Sequence, residues 1–193
     1  MRYEAVLQSS SELLSGRYYN HEIPKATAQE SHEDYEKRTW RGRLHTDKDG
    51  NVVFPGEAFK RALDDAASRR GDKLKGNATY SKRFLSGVIV FNDVQLINPS
   101  TKKPIKAETV EPKVLFVPSD GKRNGPKRVM KFFPTVPEWT AKVVFDVVDD
   151  IISKPVFEQT LEYAGKFLGI GSMRAGNGGI AGRFEVVSVK EVK

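Results

Sequence analysis

From Trp139 onward every second position is apolar. Ala141, Val143, Phe145 and Val147 alternate with Thr140, Lys142, Val144 and Asp146. This is the period of a strand with one buried face. The same alternation over Arg2–Gln8 sets Tyr3, Ala5 and Leu7 on one side of a first strand. Ser86–Ile97 is rich in Val and Ile, ends at Asn98-Pro99, and predicts another strand. Two stretches change period. Phe59, Ala62, Leu63 and Ala66 recur at helical spacing within Glu57–Arg70, opened by Pro55-Gly56 and stopped at Gly71. Phe157, Leu161, Ala164 and Leu168 do the same after Pro155, a residue suited to a first helical turn, and Gly169 caps them. Gly182–Lys190, with Phe184, Val186 and Val189, predicts a closing strand. Arg41–Thr46 and Asn51–Phe54 flank Asp49-Gly50, a hairpin signal.

The resulting order is β-α-β followed by β-α-β. It predicts an α+β, ferredoxin-like (βαββαβ, RRM-like) domain, with an antiparallel sheet and both helices on one face. A β-hairpin insertion at about 36–54 interrupts the first β-α connection. An arm at about 98–137, proline-rich and without a long periodic segment, separates the two halves. No repeat or linker divides the chain, so residues 1–193 are read as one domain.

Charge sharpens this picture. Hydrophobic residues make up 38% of the chain and charged residues 30%, which suggests a core with long polar excursions. The net charge is +7 and is unevenly placed: residues 101–131 carry +6 and residues 69–83 carry +5, leaving the remainder at −4. Basic charge gathered into two segments is the electrostatic footprint of a polyanion binder. Without cysteine there is no disulfide, thiolate metal site or cysteine nucleophile. No apolar run is long enough to span a membrane, and the opening Met1-Arg2-Tyr3-Glu4 is unlike a signal peptide. A cytoplasmic protein without cofactor or metal is expected.

Gly169–Arg183 is the stretch richest in potential chemistry, with six glycines in fifteen residues and two arginines. Such a loop lets backbone amides approach an anion closely. It lacks the Gly-Lys-Ser/Thr end of a phosphate-binding P-loop. It also follows a helix and precedes a strand, the reverse of a dinucleotide fingerprint. Gly169, Gly171, Gly176, Gly178 and Gly179, with Arg174 and Arg183 as cations, are the candidate phosphate contacts. The plainer alternative is a connection that needs small residues.

A glycine-rich loop between the last helix and the last strand resembles the RAMP superfamily of CRISPR-associated RNA-binding proteins. The opening Tyr3–Arg17, with Ser9-Ser10-Ser11 and Leu13-Leu14-Ser15-Gly16, is similar to the start of effector-complex backbone subunits. Gly50–Ala62 is similar too, with Val52, Phe54, Pro55 and Gly56 before a helix. The arm stands where such subunits carry a thumb-like insertion. The loop departs from the family's processing nucleases in lacking their aromatic-glycine pairs. The resemblance implies a subunit, stand-alone or phage-borne, that lines up along RNA in a homo-oligomer or beside other effector-complex subunits.

Further candidates for nucleic-acid contact are Arg17, Trp40, Arg41 and Arg43, where aromatics and arginines interleave near Tyr18, Tyr19 and Arg38, and Lys122, Arg123, Lys127 and Arg128 on the arm. Trp40 reads equally well as a core anchor. Arg69, Arg70, Lys73 and Lys75 read as a solvated helix end. No catalytic residue is assigned. A metal-independent endoribonuclease using His21, His32 or His45 is the rival reading. A phage structural or inhibitor protein that binds a protein partner is another.

Overall fold

The computed structural model describes residues 1–17, 24–119 and 126–192. Tyr18, Tyr19, His21, Lys122 and Arg123, singled out from the sequence, lie outside the described residues. In chain order the elements are β1 (Arg2–Ser9), β2 (Leu13–Leu14), α1 (His32–Thr39), β3 (Val53–Phe54), α2 (Gly56–Arg70), β4 (Lys73–Lys75) and β5 (Ala78–Thr79). Then come α3 (Ser81–Gly87), β6 (Val88–Ile89), β7 (Val94–Ile97), β8 (Glu111–Pro118), β9 (Arg128–Val136), β10 (Thr140–Val147), α4 (Lys154–Tyr163) and β11 (Phe184–Val192). The fold is α+β, and its sheets are antiparallel.

The main sheet runs β11-β1-β10-β7-β3, with β6 also on β10. Alternation decides which face is buried. Tyr3, Ala5 and Leu7 of β1 pair directly with Phe145, Val143 and Ala141 of β10, and all six are buried. Phe157 of α4 covers them, its ring 5.1 Å from both Tyr3 and Phe145. Phe59 of α2 meets Trp139 and Phe184 at 6.4 and 6.3 Å. Truncating a ring so enclosed costs about 3–5 kcal/mol, so these aromatics hold α2 and α4 on the sheet. After α4 the chain continues as one π-helical turn, Ala164–Leu168. Gly165 is required there, because a Cβ would stand 2.2 Å from the Phe184 carbonyl oxygen.

A second sheet, β2-β9-β8, forms the arm. The sequence reading of this region as an extended insertion without periodic segments is corrected: β8 and β9 pair over eight positions, from Glu111↔Thr135 to Pro118↔Arg128. Its alternation was hidden because β9 is buried on both faces near its end and prolines interrupt both strands. The edge of β9 away from β8 is closed by groups from α1 and its neighbours. Met130 O meets His32 Nε2 at 3.1 Å, Phe132 N–H donates to Glu36, Phe132 O accepts from Arg43, and Pro134 O accepts from Ser15 N–H at 2.9 Å.

Two other expectations are corrected. Arg41–Thr46 is not a strand: α1 leads into a 3-10 turn over Trp40–Arg43, and Thr46↔Val52 is a lone bridge. The helix escapes apolar periodicity because the residues it buries are Glu36 and Thr39. Its start is capped by the Ser31 hydroxyl, which accepts the Asp34 N–H at 3.1 Å. Ser86–Ile97 is likewise not one strand. Its first residues end α3, and Val90–Asp93 separate β6 from β7.

Candidate nucleic-acid interface

Four sequence-distant segments meet in a cleft of about 510 Å³: the end of the β2 segment at Gly16, His45, the first turns of α2, and the glycine-rich loop from Gly169 to Arg174. Helical periodicity turns Phe59, Ala62 and Leu63 inward, which leaves Lys60 and Arg61 on the side of α2 facing the cleft. Their roles differ. Lys60 Nζ donates to Asp64 and to the Phe84 and Leu85 carbonyls, closing the end of α3. Arg61 is exposed and has no ion-pair partner among the described residues. Arg174, across the loop, is only 26% exposed and reaches Asp65 at a loose 3.7 Å. Burial holds the Asp64 carboxyl above its ordinary pKa although Lys60 pulls it down.

His45 lines the same cleft and packs edge-on to Phe54 at 5.6 Å. Burial and the nearby positive charge of Arg17 lower its pKa, against a smaller opposite pull from Asp93. The ring is therefore neutral near physiological pH. His32 sits apart, on α1 beside β9. Among the described residues no group of three or more His, Asp or Glu side chains could hold a metal ion. No described helix is long and apolar enough to cross a membrane.

The glycines of the loop answer first to the protein's own backbone. A Cβ on Gly179 would lie 1.8 Å from the Met173 carbonyl oxygen, and one on Gly182 would lie 1.8 Å from that of Ile170. Gly169 and Gly171 combine positive φ with comparable crowding, from the Gly182 and Leu14 carbonyls. Gly176 lies close to Leu168, and Gly178 has φ 80°. Many loop amides are consumed internally: Ser172 N–H by Leu14, Gly179 N–H by Arg174, Ala181 N–H by Met173 and Gly182 N–H by Glu12. The Gly171 N–H, on the cleft, has no partner among the described residues. The plainer reading, small residues for tight packing, accounts for most of this loop.

The remaining sequence candidates separate sharply. Trp40, offered as a stacking platform, is buried in the core cluster, with the Arg41 guanidinium 4.6 Å from its ring centre. Arg41 Nη1 also donates to the Ala107 carbonyl at 3.0 Å. Arg43, offered as a phosphate contact, instead forms a two-pronged ion pair with Glu36 at 2.5 and 2.6 Å, both side chains nearly excluded from water. Burial raises the pKa of Glu36, but Arg43 and the Phe132 N–H outweigh it and hold the carboxyl below its ordinary value. Arg17 follows the cleft residue Gly16 and acts electrostatically on His45; its backbone N–H donates to the Arg43 carbonyl at 2.9 Å. Arg183 turns away: its Nε donates to the Lys166 carbonyl at 3.1 Å, in the middle of the π-helical turn. Arg69, on α2, ties the loop down by donating to the Gly176 carbonyl. On the arm, Lys127 and Arg128 are exposed.

Lys60, Arg61 and Asp64 were not singled out from the sequence. Periodicity places them on the outer face of α2, and only the tertiary fold brings the loop opposite them. No family model matches the chain, and no curated protein matches it. Among solved structures, the crystal structure of Cmr6 from Pyrococcus furiosus is similar over 97% of this chain and 98% of that chain, at 15% sequence identity and a TM-score of 0.48.

Proposed function

We propose that this protein binds RNA, or another single-stranded nucleic acid, through backbone phosphates and without cleaving it, as a RAMP-like subunit of a larger assembly. The observation that carries the reading is the cleft where Arg61 and Arg174 meet the glycine-rich loop, with Arg17 beside the neutral His45. A phosphate there would find two incompletely paired guanidinium groups and the Gly171 amide, the donors that grip an anion without reading a base. The exposed Lys127 and Arg128 of the arm extend positive charge beyond the cleft. A ferredoxin-like plan is supported by the strand order. With β6 and β7 together as the second strand, the order is fourth-first-third-second, and α2 and α4 form the two crossovers.

The test is binding of labelled single strands of RNA and of DNA across a salt series, together with the absorbance ratio and nuclease sensitivity of whatever co-purifies. Arg61→Glu with Arg174→Glu should lower affinity at least tenfold. A protein free of nucleic acid, with no affinity for either strand at low salt, would move the reading to a protein-binding component. One rival has a specific observation behind it: His45, a neutral imidazole on the cleft, suits a general base for metal-independent RNA cleavage. Cleavage in a chelator, abolished by His45→Ala with binding retained, would establish it.

A further inference from the structure

The arm leaves one strand edge open. In an antiparallel ladder, residues alternately turn their N–H and C=O groups toward and away from the partner strand. The Ser119 N–H bonds to the Lys127 carbonyl at 3.0 Å. Counting back from that pair, Lys113, Leu115 and Val117 face β9, while Pro112, Val114, Phe116 and Pro118 face outward. The facing strand confirms the parity, because Met130, Phe132 and Pro134, opposite the outward residues, are the ones whose carbonyls are taken from the α1 side. Among the described residues β8 is the last strand of its sheet, and no described group bonds the Val114 or Phe116 N–H. Its open edge therefore offers two N–H donors, Val114 and Phe116, bracketed by prolines that have none. The side chains beside those donors are apolar and uncovered: Val114 is 43% exposed and Phe116 is 63% exposed.

We propose that β8 pairs with β8 of a second copy of this chain, antiparallel about a twofold axis at Leu115. Val114 of each copy then faces Phe116 of the other, and the two reciprocal pairs supply four N–H···O bonds. The prolines fall opposite one another, where no donor is lost and the ladder stops. Each Phe116 packs across from a Val114, an aromatic–β-branched pair of the kind that stabilises antiparallel ribbons. Charge fits the same orientation. Antiparallel pairing brings the tip of one arm, with exposed Lys127 and Arg128, beside the root of the other, where Glu108 and Glu111 are exposed. Arg128 currently reaches the Phe116 carbonyl at a weak 3.4 Å. The pairing gives that carbonyl a backbone donor and frees Arg128 for the acids. An edge shared between two copies also ends the hazard of an open hydrophobic strand, and an identical patch on both partners closes the assembly at two. The pairing makes no use of the cleft.

The chain has no cysteine, so introduced thiols report cleanly. At the twofold axis the Leu115 residues form a non-hydrogen-bonded pair, with Cα atoms about 4.5 Å apart, within disulfide reach. Under mild oxidation Leu115→Cys should run as a covalent dimer at twice 21.6 kDa. Lys113→Cys, whose opposite number is Val117, should stay single until mixed with Val117→Cys. Sedimentation of the unmodified protein should show a concentration-dependent dimer. Val114→Pro should abolish it while retaining the wild-type circular dichroism, because a proline facing outward on an edge strand breaks no internal bond. A monomer at all concentrations, or equal cross-linking at 113 and 115, overturns the pairing. Cross-linking only at Val114→Cys or Phe116→Cys overturns the register.

Discussion

Arg43 offers the sharpest contrast between a charge that binds a ligand and one that builds the fold. Its guanidinium donates twice to Glu36 and once to the Phe132 carbonyl, and side-chain exposure is 11% for Arg43 and 4% for Glu36. Arg43→Ala leaves a buried carboxylate whose remaining donor includes the Phe132 N–H. Removing one partner of a buried pair costs about 3–5 kcal/mol, most of it the stranded charge. For a domain of this size that is a fall in Tm of roughly 6–20 °C. Replacing both residues with Met should recover only part of the loss: no charge is left unpaired, but the Phe132 N–H and carbonyl lose their partners. The pair also carries a pH signature. Glu36 has a lowered pKa in the fold, so its contribution is present above the ordinary carboxylate range and is lost as the pH falls through the depressed value. Thermal melts of Arg43→Ala, Glu36→Met with Arg43→Met, and wild type at neutral and acidic pH provide the assay. An unchanged Tm for Arg43→Ala, together with lost single-strand affinity, would refute a structural role and restore Arg43 to the interface.

Other consequences follow from the same geometry. Because burial and Arg17 lower the pKa of His45, the unfolded chain takes up its proton first as the pH falls below about 6.5. Stability should therefore decline on acidification through that range, and His45→Gln should flatten the decline in pH-dependent denaturant melts. Gly179→Ala places a Cβ 1.8 Å from a backbone oxygen and should cost about 1–3 kcal/mol or more in chemical denaturation. Gly50→Ala meets open space at φ +72° and should cost no more than about 1–2 kcal/mol. Lys127→Glu with Arg128→Glu should weaken single-strand binding and reduce the steepness of its salt dependence by about 0.7 per lost phosphate contact, read from a titration at several salt concentrations.

Much of the fold is legible in local pattern. β1, β10, α2 and α4 each bury one face, and burial of one face imposes a period of 2 or 3.6 on the residues themselves. Tyr3, Ala5 and Leu7, or Phe59, Ala62 and Leu63, therefore announce their elements without reference to any other part of the chain. The glycine-rich loop was also visible as a segment of unusual composition. What it was for was not. Crowding at Gly179 and Gly182 comes from carbonyls of the same loop, and Gly171 is pressed by Leu14 from the other end of the sequence.

Elements whose burial is polar, or whose neighbours come from afar, leave no such mark. α1 turns Glu36 inward because Arg43 and the edge of β9 complete its hydrogen bonds, and no apolar period can record that. Trp40 and Arg43 read from sequence as an aromatic and a cation for a single strand. Three-dimensional packing gives the first to the core and the second to a buried ion pair. Arg61 and Arg174 are 113 residues apart in the sequence and share a cleft only because α2 and the last loop pack together. Composition by itself determined that the chain is basic and where the charge is dense. Which of those charges remain available to a ligand was decided by tertiary structure, since a cation's availability depends on the acids and carbonyls that folding brings beside it.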